Sequence, residues 1–363
     1  MGLGAIVVIG GEREALCSTR PLGQQEFLSE PLPCVEILGR SMIERTIERF
    51  RRADVELITV LVVADEASGD QAFSLKIDNA KVLVVPEACS AIRETLERYS
   101  DAGIQHSFVT WASVYAETDL LDLFYFHREA RQAATRAGDR DGLLELWVVD
   151  CARAQEYPLE DLLAQADGNG VSYFIREYVI RLAFPGDLRR FASDVLRGGC
   201  STHPPGLEVK RGIWVDEGAE VHRRARVVAP AYIGRGSKVM QDTLITRCST
   251  IEKGCCIDCG TVVEGSSILA YTHIGIWLDV CKAVASGNKL LSLGRDVVVE
   301  ISDPSVMRLN GSARKQSMTS FILGRRAKRE TKQEEQKTAV ADVQPHEAPA
   351  SESWQLGTNL IQG

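Results

Sequence analysis

The stretch Val215-Asp216-Glu217-Gly218-Ala219-Glu220-Val221-His222-Arg223-Arg224-Ala225-Arg226-Val227 decides the fold, because it opens a pattern with a period of six. Counting on in sixes meets Ile233, Val239, Ile245, Ile251, Ile257, Val263 and Leu269, all branched aliphatic. If Val, Ile and Leu make up roughly a quarter of a chain, so long a run arises by chance about once in a million trials. A second register agrees. Ala219, Ala225, Ala231, Ser237, Thr243, Ser249, Cys255, Thr261 and Ser267 are all small, and Gly218, Gly236, Gly254 and Gly260 punctuate them. Strands repeat every two residues and helices every 3.6, so neither accounts for six. A triangular coil does, with one short strand and one corner per side. The aliphatic residue fills the interior and the small one fits the corner. Coils of about eighteen residues then stack at roughly 4.8 Å, as neighbouring strands do. The expectation is a left-handed parallel β-helix from about Trp214 to Ile274, winding against the usual right-handed rule for crossovers. After Ile274 the hexad is expected to fail, and residues 280–301, with Gly287-Asn288 as a turn, read as closing strands.

Upstream, the pattern changes to strands alternating with helices. Residues 5–9, Leu57 to Val63, Lys81 to Val85 and Phe108 to Ala112 are apolar runs that read as buried strands. Residues 41–53 space their apolar side chains by three and four, with Ser41 and Glu44 as a capping box. Further helices are expected over 89–100, Asp119 to Ala133 and Asp187 to Leu196, and a strand over Gly170 to Ile175. That alternation predicts an α/β layer with a mainly parallel sheet. The boundaries are 1–205 for the α/β domain, 206–310 for the β-helix with its closing strands, and 324–363 for a tail. The tail, basic at Arg325-Arg326-Ala327-Lys328-Arg329 and then rich in Glu, Gln, Ala, Pro and Ser, reads as disordered.

A net charge of −8 without a basic stripe disfavours a nucleic-acid partner. No run approaches eighteen apolar residues, so no membrane span is expected, and the start lacks a signal-peptide pattern. The expected location is cytoplasmic, which makes the ten cysteines reduced thiols. Cys256 and Cys259 have C-x-x-C spacing, but no second pair exists to complete a zinc site, and Cys255 falls on a small-residue position. No metal site is therefore expected.

In this order the motifs resemble those of the sugar-phosphate nucleotidyltransferases, which couple a nucleoside triphosphate to a sugar 1-phosphate. Ile6 to Gly11 is similar to the family's opening strand and glycines, and Thr19-Arg20-Pro21-Leu22 to the end of its phosphate loop. Pro31-Leu32-Pro33-Cys34-Val35-Glu36-Ile37-Leu38-Gly39-Arg40-Ser41-Met42-Ile43 follows its second motif. Phe108 to Ser113 resembles the strand that ends in Gly-Asp. Gly170 to Ile175 resembles the sugar-side strand. The resemblance implies a Rossmann-like nucleotidyltransferase domain followed by the β-helix. It also implies nucleotide contacts at Gly10, Gly11, Thr19 and Arg20, and a sugar contact at Gly170. The departures from the family's pattern fall on the chemistry. Glu12 and Glu14 stand in a loop that has lost its glycines, Leu32 replaces the motif's Lys, and Ser113 replaces the Mg²⁺-holding Asp.

Three readings follow. One is a degenerate member of the family that acts by binding or assembly. A second is an active, Mg²⁺-dependent transferase with relocated ligands, in which Arg20 contacts the phosphates and Arg40 or Lys76 supplies a cation. The third is a hexapeptide-repeat acyltransferase using His222 or His273, although His273 falls in the small-residue register and His222 faces solvent. A nucleotide or sugar phosphate is the expected ligand. The open ends and flat sides of a solenoid lead us to expect a homo-oligomer.

Overall fold

The structure, a computed structural model, describes residues 2–11, 27–64, 77, 80–168 and 172–310. Thr19, Arg20, Lys76, Gly170 and the tail from 324 lie outside the described residues. Residues Met1–Ser312 form one compact unit.

The N-terminal region is a seven-stranded mixed sheet in the order β3-β2-β1-β4-β7-β6-β8. Its strands are β1 (Gly2–Ile9), β2 (Leu57–Val63), β3 (Lys81–Val85), β4 (Ile104–Trp111), β6 (Ala134–Asp139), β7 (Gly142–Asp150) and β8 (Tyr173–Phe174). A separate antiparallel pair is formed by β5 (Val114–Ala116) and β9 (Val179–Arg181). The first four strands of the sheet run parallel, as expected, but β7 is antiparallel to both β4 and β6. The sheet is thus mixed but still mainly parallel, as expected: among the described strands β7 alone runs against the others. The cause is a hairpin through Asp139-Arg140-Asp141-Gly142, with Gly142 at φ 124.

Helices cover both faces. Alternate residues of one strand serve opposite sides, as period two requires. Ala5 and Val7 pack with Ile43, Ile47 and Phe50 of α1 (Met42–Arg52) and with Leu123 and Phe124 of α3 (Leu120–Ala130). Ile6 and Val8 pack with Ile92 and Leu96 of α2 (Ala88–Asp101) and Leu162 of α4 (Leu159–Gly168). The α1 capping box is present: Glu44 N–H donates to Ser41 Oγ at 3.3 Å, and Ser41 N–H to Glu44 Oε2 at 2.7 Å. Helix α3 stops at Ala130 rather than Ala133, because Arg131 takes a left-handed conformation. A last helix, α5 (Pro185–Leu196), leads to the coil.

From Ile213 the chain winds around three parallel sheets. One side stacks β11 (Ile213–Val215), β14 (Ala231–Ile233), β17 (Ser249–Ile251), β20 (Ser267–Ile268) and β23 (Ala283–Ser286). The second stacks β12 (Glu220–Val221), β15 (Lys238–Val239), β18 (Cys256–Ile257) and β21 (Thr272–Ile274). The third stacks β13 (Arg226–Val227), β16 (Leu244–Thr246), β19 (Val262–Glu264) and β22 (Asp279–Cys281). These parallel three-sided coils are consistent with a β-helix. Early rungs pair residues eighteen apart, such as Ile233 with Ile251 and Val239 with Ile257.

Two expectations need correction. After Val263 the rung shortens: Ile251 pairs with Ile268, Ile257 with Ile274 and Val263 with Val280. The interior residue is therefore Ile268, not Leu269, which packs outside against α5. The hexad does not end at Ile274. It loses one residue at a corner before Ile268 and another before Ala285, and continues to β23. Likewise Ser267 and His273 leave the small-residue register, which passes to Ser266 and Thr272.

The small residues do more than fit. Their hydroxyls bridge corners that regular pairing leaves open. Ser237 Oγ donates to Glu252 O at 2.6 Å and accepts from Cys255 N at 3.1 Å. Thr261 Oγ1 donates to Gly275 O at 2.6 Å and accepts from Leu278 N at 3.2 Å. Ser266 Oγ donates to Val280 O at 3.1 Å and accepts from Ala283 N at 3.0 Å. A buried backbone group left without a partner costs about 1–3 kcal/mol, so each hydroxyl holds two rungs in register. The coil closes with β24 (Lys289–Ser292), β25 (Val297–Glu300) and β26 (Met307–Leu309), all antiparallel to their neighbours. At its other end β10 (Leu207–Lys210) is an exposed edge strand antiparallel to β11.

Candidate functional site

In an open α/β sheet, ligands sit beyond the carboxyl ends of the strands where the strand order reverses. Here that point lies between β1 and β4, since β2 and β3 run off to one side and β7, β6 and β8 to the other. The residues that emerge are Gly10 and Gly11 from β1, and Ala112 and Ser113 from β4. Ala112 N–H donates to Val8 O at 2.8 Å, which places the two ends side by side. Gly10 and Gly11 both have positive φ, 83° and 90°. That backbone turn favours glycine and lets the chain approach a ligand. Two of the site residues expected from sequence, Gly10 and Gly11, thus occupy the switch point. Thr19, Arg20 and Gly170 lie outside the described residues.

Among the described residues the chemistry at this point is apolar or neutral. Ser113 is 4% exposed, and its carbonyl accepts from Leu182 N–H at 2.7 Å. Leu32 starts a 3-10 helix (Leu32–Cys34) and packs beside Val35, Ile37 and Leu38. Arg40 forms an ion pair with Glu48. The next acid along the chain from Ser113, Glu117, is committed elsewhere. Its carboxylate accepts from Ser201 N, Thr202 N, Thr202 Oγ1 and Tyr115 OH, fastening the linker to β5. Burial pushes its pKa up, but the hydrogen bonds from Thr202, Ser201 and Tyr115 outweigh this and hold it low. A serine hydroxyl and an alanine methyl do not suit a hard cation that needs carboxylate oxygens. The switch-point residues among those described therefore do not fit Mg²⁺.

A second concavity, of about 460 Å³, opens where the two regions meet, lined by Glu36, Arg40, Glu44, Asp216, Arg235 and Lys253 among others. Its floor is a polar joint. Leu38 and Gly39 both have positive φ, so their successive N–H groups point the same way and form an anion nest. Into it reaches Glu252, fully buried, accepting from Leu38 N at 3.0 Å and Gly39 N at 3.2 Å. Burial pushes its pKa up to about 8 against the pull of those two N–H groups. Behind the turn, Arg45 donates to Ile37 O at 2.9 Å and Leu38 O at 3.0 Å and lies over the Phe191 ring. On the other side of α5, Arg189 donates to Gly265 O at 2.9 Å and Arg247 O at 3.0 Å. Sequence reading missed all three residues: Glu252 and Arg189 meet partners far off along the chain, and Arg45 reaches back to carbonyls of an irregular turn that carries no periodic signal.

The two histidines considered from sequence separate. His222 Nδ1 accepts from Arg224 N–H at 3.1 Å and closes a local turn. His273 instead projects outward over Cys256, its register partner, and its Nε2 lies 2.9 Å from Asp258 Oδ2. His127 is a core residue: Nδ1 contacts Thr135 Oγ1 at 2.8 Å, and burial with the neighbouring His106 pushes its pKa down to about 4. Cys255 is buried in the coil, its thiol 3.1 Å from Leu269 O, a structural role as expected. No protein-family model matches the chain, and no curated protein is found to match it. Among the described residues no helix is long and apolar enough to cross a membrane.

Proposed function

We propose that the chain is a sugar-phosphate nucleotidyltransferase-like protein of nucleotide-sugar and polysaccharide metabolism whose catalytic centre is degenerate, acting in the cytoplasm by binding or assembly. In this reading the mixed sheet is a Rossmann-like nucleotidyltransferase domain and the coil winds left-handed. The observation that carries it is the carboxyl end of β4. Ala112 and Ser113 stand buried beside Gly10 and Gly11, where nucleotidyl transfer needs a metal-bearing carboxylate. The glycine turn supports a retained ligand-shaped crevice, while Leu32 and Ser113 supply neither cation nor carboxylate for catalysis. The experiment is a paired one. Thermal shift against nucleoside triphosphates, sugar 1-phosphates and nucleotide sugars, with and without Mg²⁺, reads binding. Pyrophosphate release reads turnover. Binding without release is the expected outcome; robust Mg²⁺-dependent release would refute the degenerate centre.

The assembly we propose is a homo-oligomer through β10. This edge strand shows Leu207 at 76% and Val209 at 56% exposure, with unpaired backbone along one side. In an antiparallel pairing with a second copy centred on Val209, Glu208 of each chain faces Lys210 of the other.

A further inference from the structure

The outer face of the coil's second side carries three ligand-bearing groups in one place. Cys256 on β18 and His273 on β21 are direct register partners on adjacent rungs, and Asp258 follows β18 by one residue. One donor atom from each lies within 4.8 Å of the other two. We propose that Cys256, Asp258 and His273 form a site for a divalent cation of the zinc class, with a fourth position left to water or an exogenous ligand.

The residue types suit such an ion. Zinc is borderline-soft and takes thiolate, imidazole and carboxylate at about 2.0–2.3 Å, usually in a tetrahedron. The edges of that tetrahedron are then roughly 3.3–3.8 Å. The thiol already donates to Asp258 Oδ1 at 3.6 Å, and Nε2 lies 2.9 Å from Oδ2, so side-chain rotation of about an ångström suffices. The rigid stacking of rungs holds two of the ligands in place beforehand. Cys256 and Asp258 are both partly exposed, the Asp258 side chain at 29%, whereas the His273 side chain is 6% exposed.

The arrangement argues against a nucleophilic cysteine. In such a triad the imidazole stands between thiol and carboxylate and takes the thiol proton. Here the carboxylate stands in the middle. Metal binding has a simple balance. The S–H bond breaks, its proton goes to solvent, and sulfur donates to the metal. In the metal-free site the neutral imidazole donates Nε2–H to Asp258 Oδ2; on loading that proton is released and Nδ1, which has no hydrogen-bond partner among the described residues, takes one up from solvent, leaving the Nε2 lone pair for the metal. With one thiolate and one carboxylate the loaded site is neutral. The nearby cations are engaged with other groups: Lys238 pairs with Glu220 at 3.3 Å, and Arg308 donates to Pro304 O at 2.6 Å.

The test uses the full chain, reduced and stripped with a chelator, then titrated with Co²⁺ and with Zn²⁺. The expected result is one equivalent of tetrahedral cobalt with a thiolate-to-metal charge-transfer band, and a Zn²⁺-dependent rise in the unfolding midpoint. Cys256→Ser should abolish the band and the rise. Asp258→Asn and His273→Gln should weaken binding at least about tenfold. Cys259→Ser and Cys281→Ser should leave both readouts unchanged. Because His273 is buried, its variant is checked by circular dichroism, and the near-isosteric Cys256→Ser carries the test if it misfolds. No cobalt band in the wild type, the same band in Cys256→Ser, or its loss in Cys259→Ser would overturn the proposal.

Discussion

Replacing Glu252 by Gln should change how stability depends on pH. The carboxyl is fully buried in the nest of Leu38 and Gly39, and its pKa stands at about 8 instead of 4.5. Between those values the folded protein holds a proton that the unfolded chain has released. Folding therefore takes up a proton, and stability falls as pH rises through this interval. At about 1.4 kcal/mol per pH unit the full loss is of order 5 kcal/mol, complete once the folded pKa is passed. Gln cannot ionise, so its contribution is flat. Its NH₂ group also faces one of two N–H donors that want an acceptor, which costs about 1 kcal/mol. The two stability curves must cross: the variant is weaker near pH 5 and stronger above pH 8, on an axis scaled by about 1.4 kcal/mol per unit. Urea denaturation of both proteins across that range measures this. Glu30 and Glu36 are also raised by burial, and the Glu36 charge itself raises Glu252, so the comparison is repeated with Glu36→Gln in both proteins to isolate Glu252. A difference that does not vary with pH would refute the reasoning and mean that water reaches the joint.

Other outcomes follow from the same geometry. Gly39→Ala should cost about 2–3 kcal/mol in denaturant titration, since φ is 71° and the new methyl would stand 2.7 Å from Pro205 Cγ. Arg189→Met should cost about 2–4 kcal/mol, because the carbonyls of Gly265 and Arg247 each lose a charged donor; an unchanged midpoint would show that water replaces it. Ser266→Ala should lower stability by about 1–2 kcal/mol, as Val280 O and Ala283 N lose their shared bridge. Val209→Lys should convert the oligomer to monomer by light scattering at unchanged fold, and a wild type that is already monomeric would remove the edge-pairing idea.

Much of the architecture was legible in the chain. The strands Leu57–Val63 and Lys81–Val85 match their apolar runs end to end, and the interior aliphatics are buried from Ile233 to Val263, while in the first turn of the coil Val215 and Val227 are half-buried and Val221 is exposed. The missed rung shortening has a local cause. Ser266-Ser267 is a doublet of small residues and Ile268-Leu269 a doublet of aliphatics, so both phases satisfy the pattern there. Nothing local shows which member of each pair turns inward. The same ambiguity hid His273, whose place over Cys256 depends on the shifted phase. The β6–β7 hairpin escaped because a charged turn between two moderately apolar runs carries only a weak signal. The glycine turn at the switch point could be read, since Gly10-Gly11 ends an apolar run. The joint could not: Glu252 meets Leu38 across 214 residues, and in the sequence it is simply an acid beside a lysine.

The apolar cluster shared by α5 and the coil bears on how the protein can be taken apart. Leu188, Phe191 and Val195 pack with Tyr232, Cys248, Leu269 and Val284, which come from successive turns of the coil. A coil expressed from residue 206 onward would present that whole stripe to water, along with Glu252 and no nest to receive it. Such a fragment is a candidate for aggregation rather than a working module. The intact unit should melt in one calorimetric transition, because this apolar cluster is built from both regions and is lost if either one unfolds.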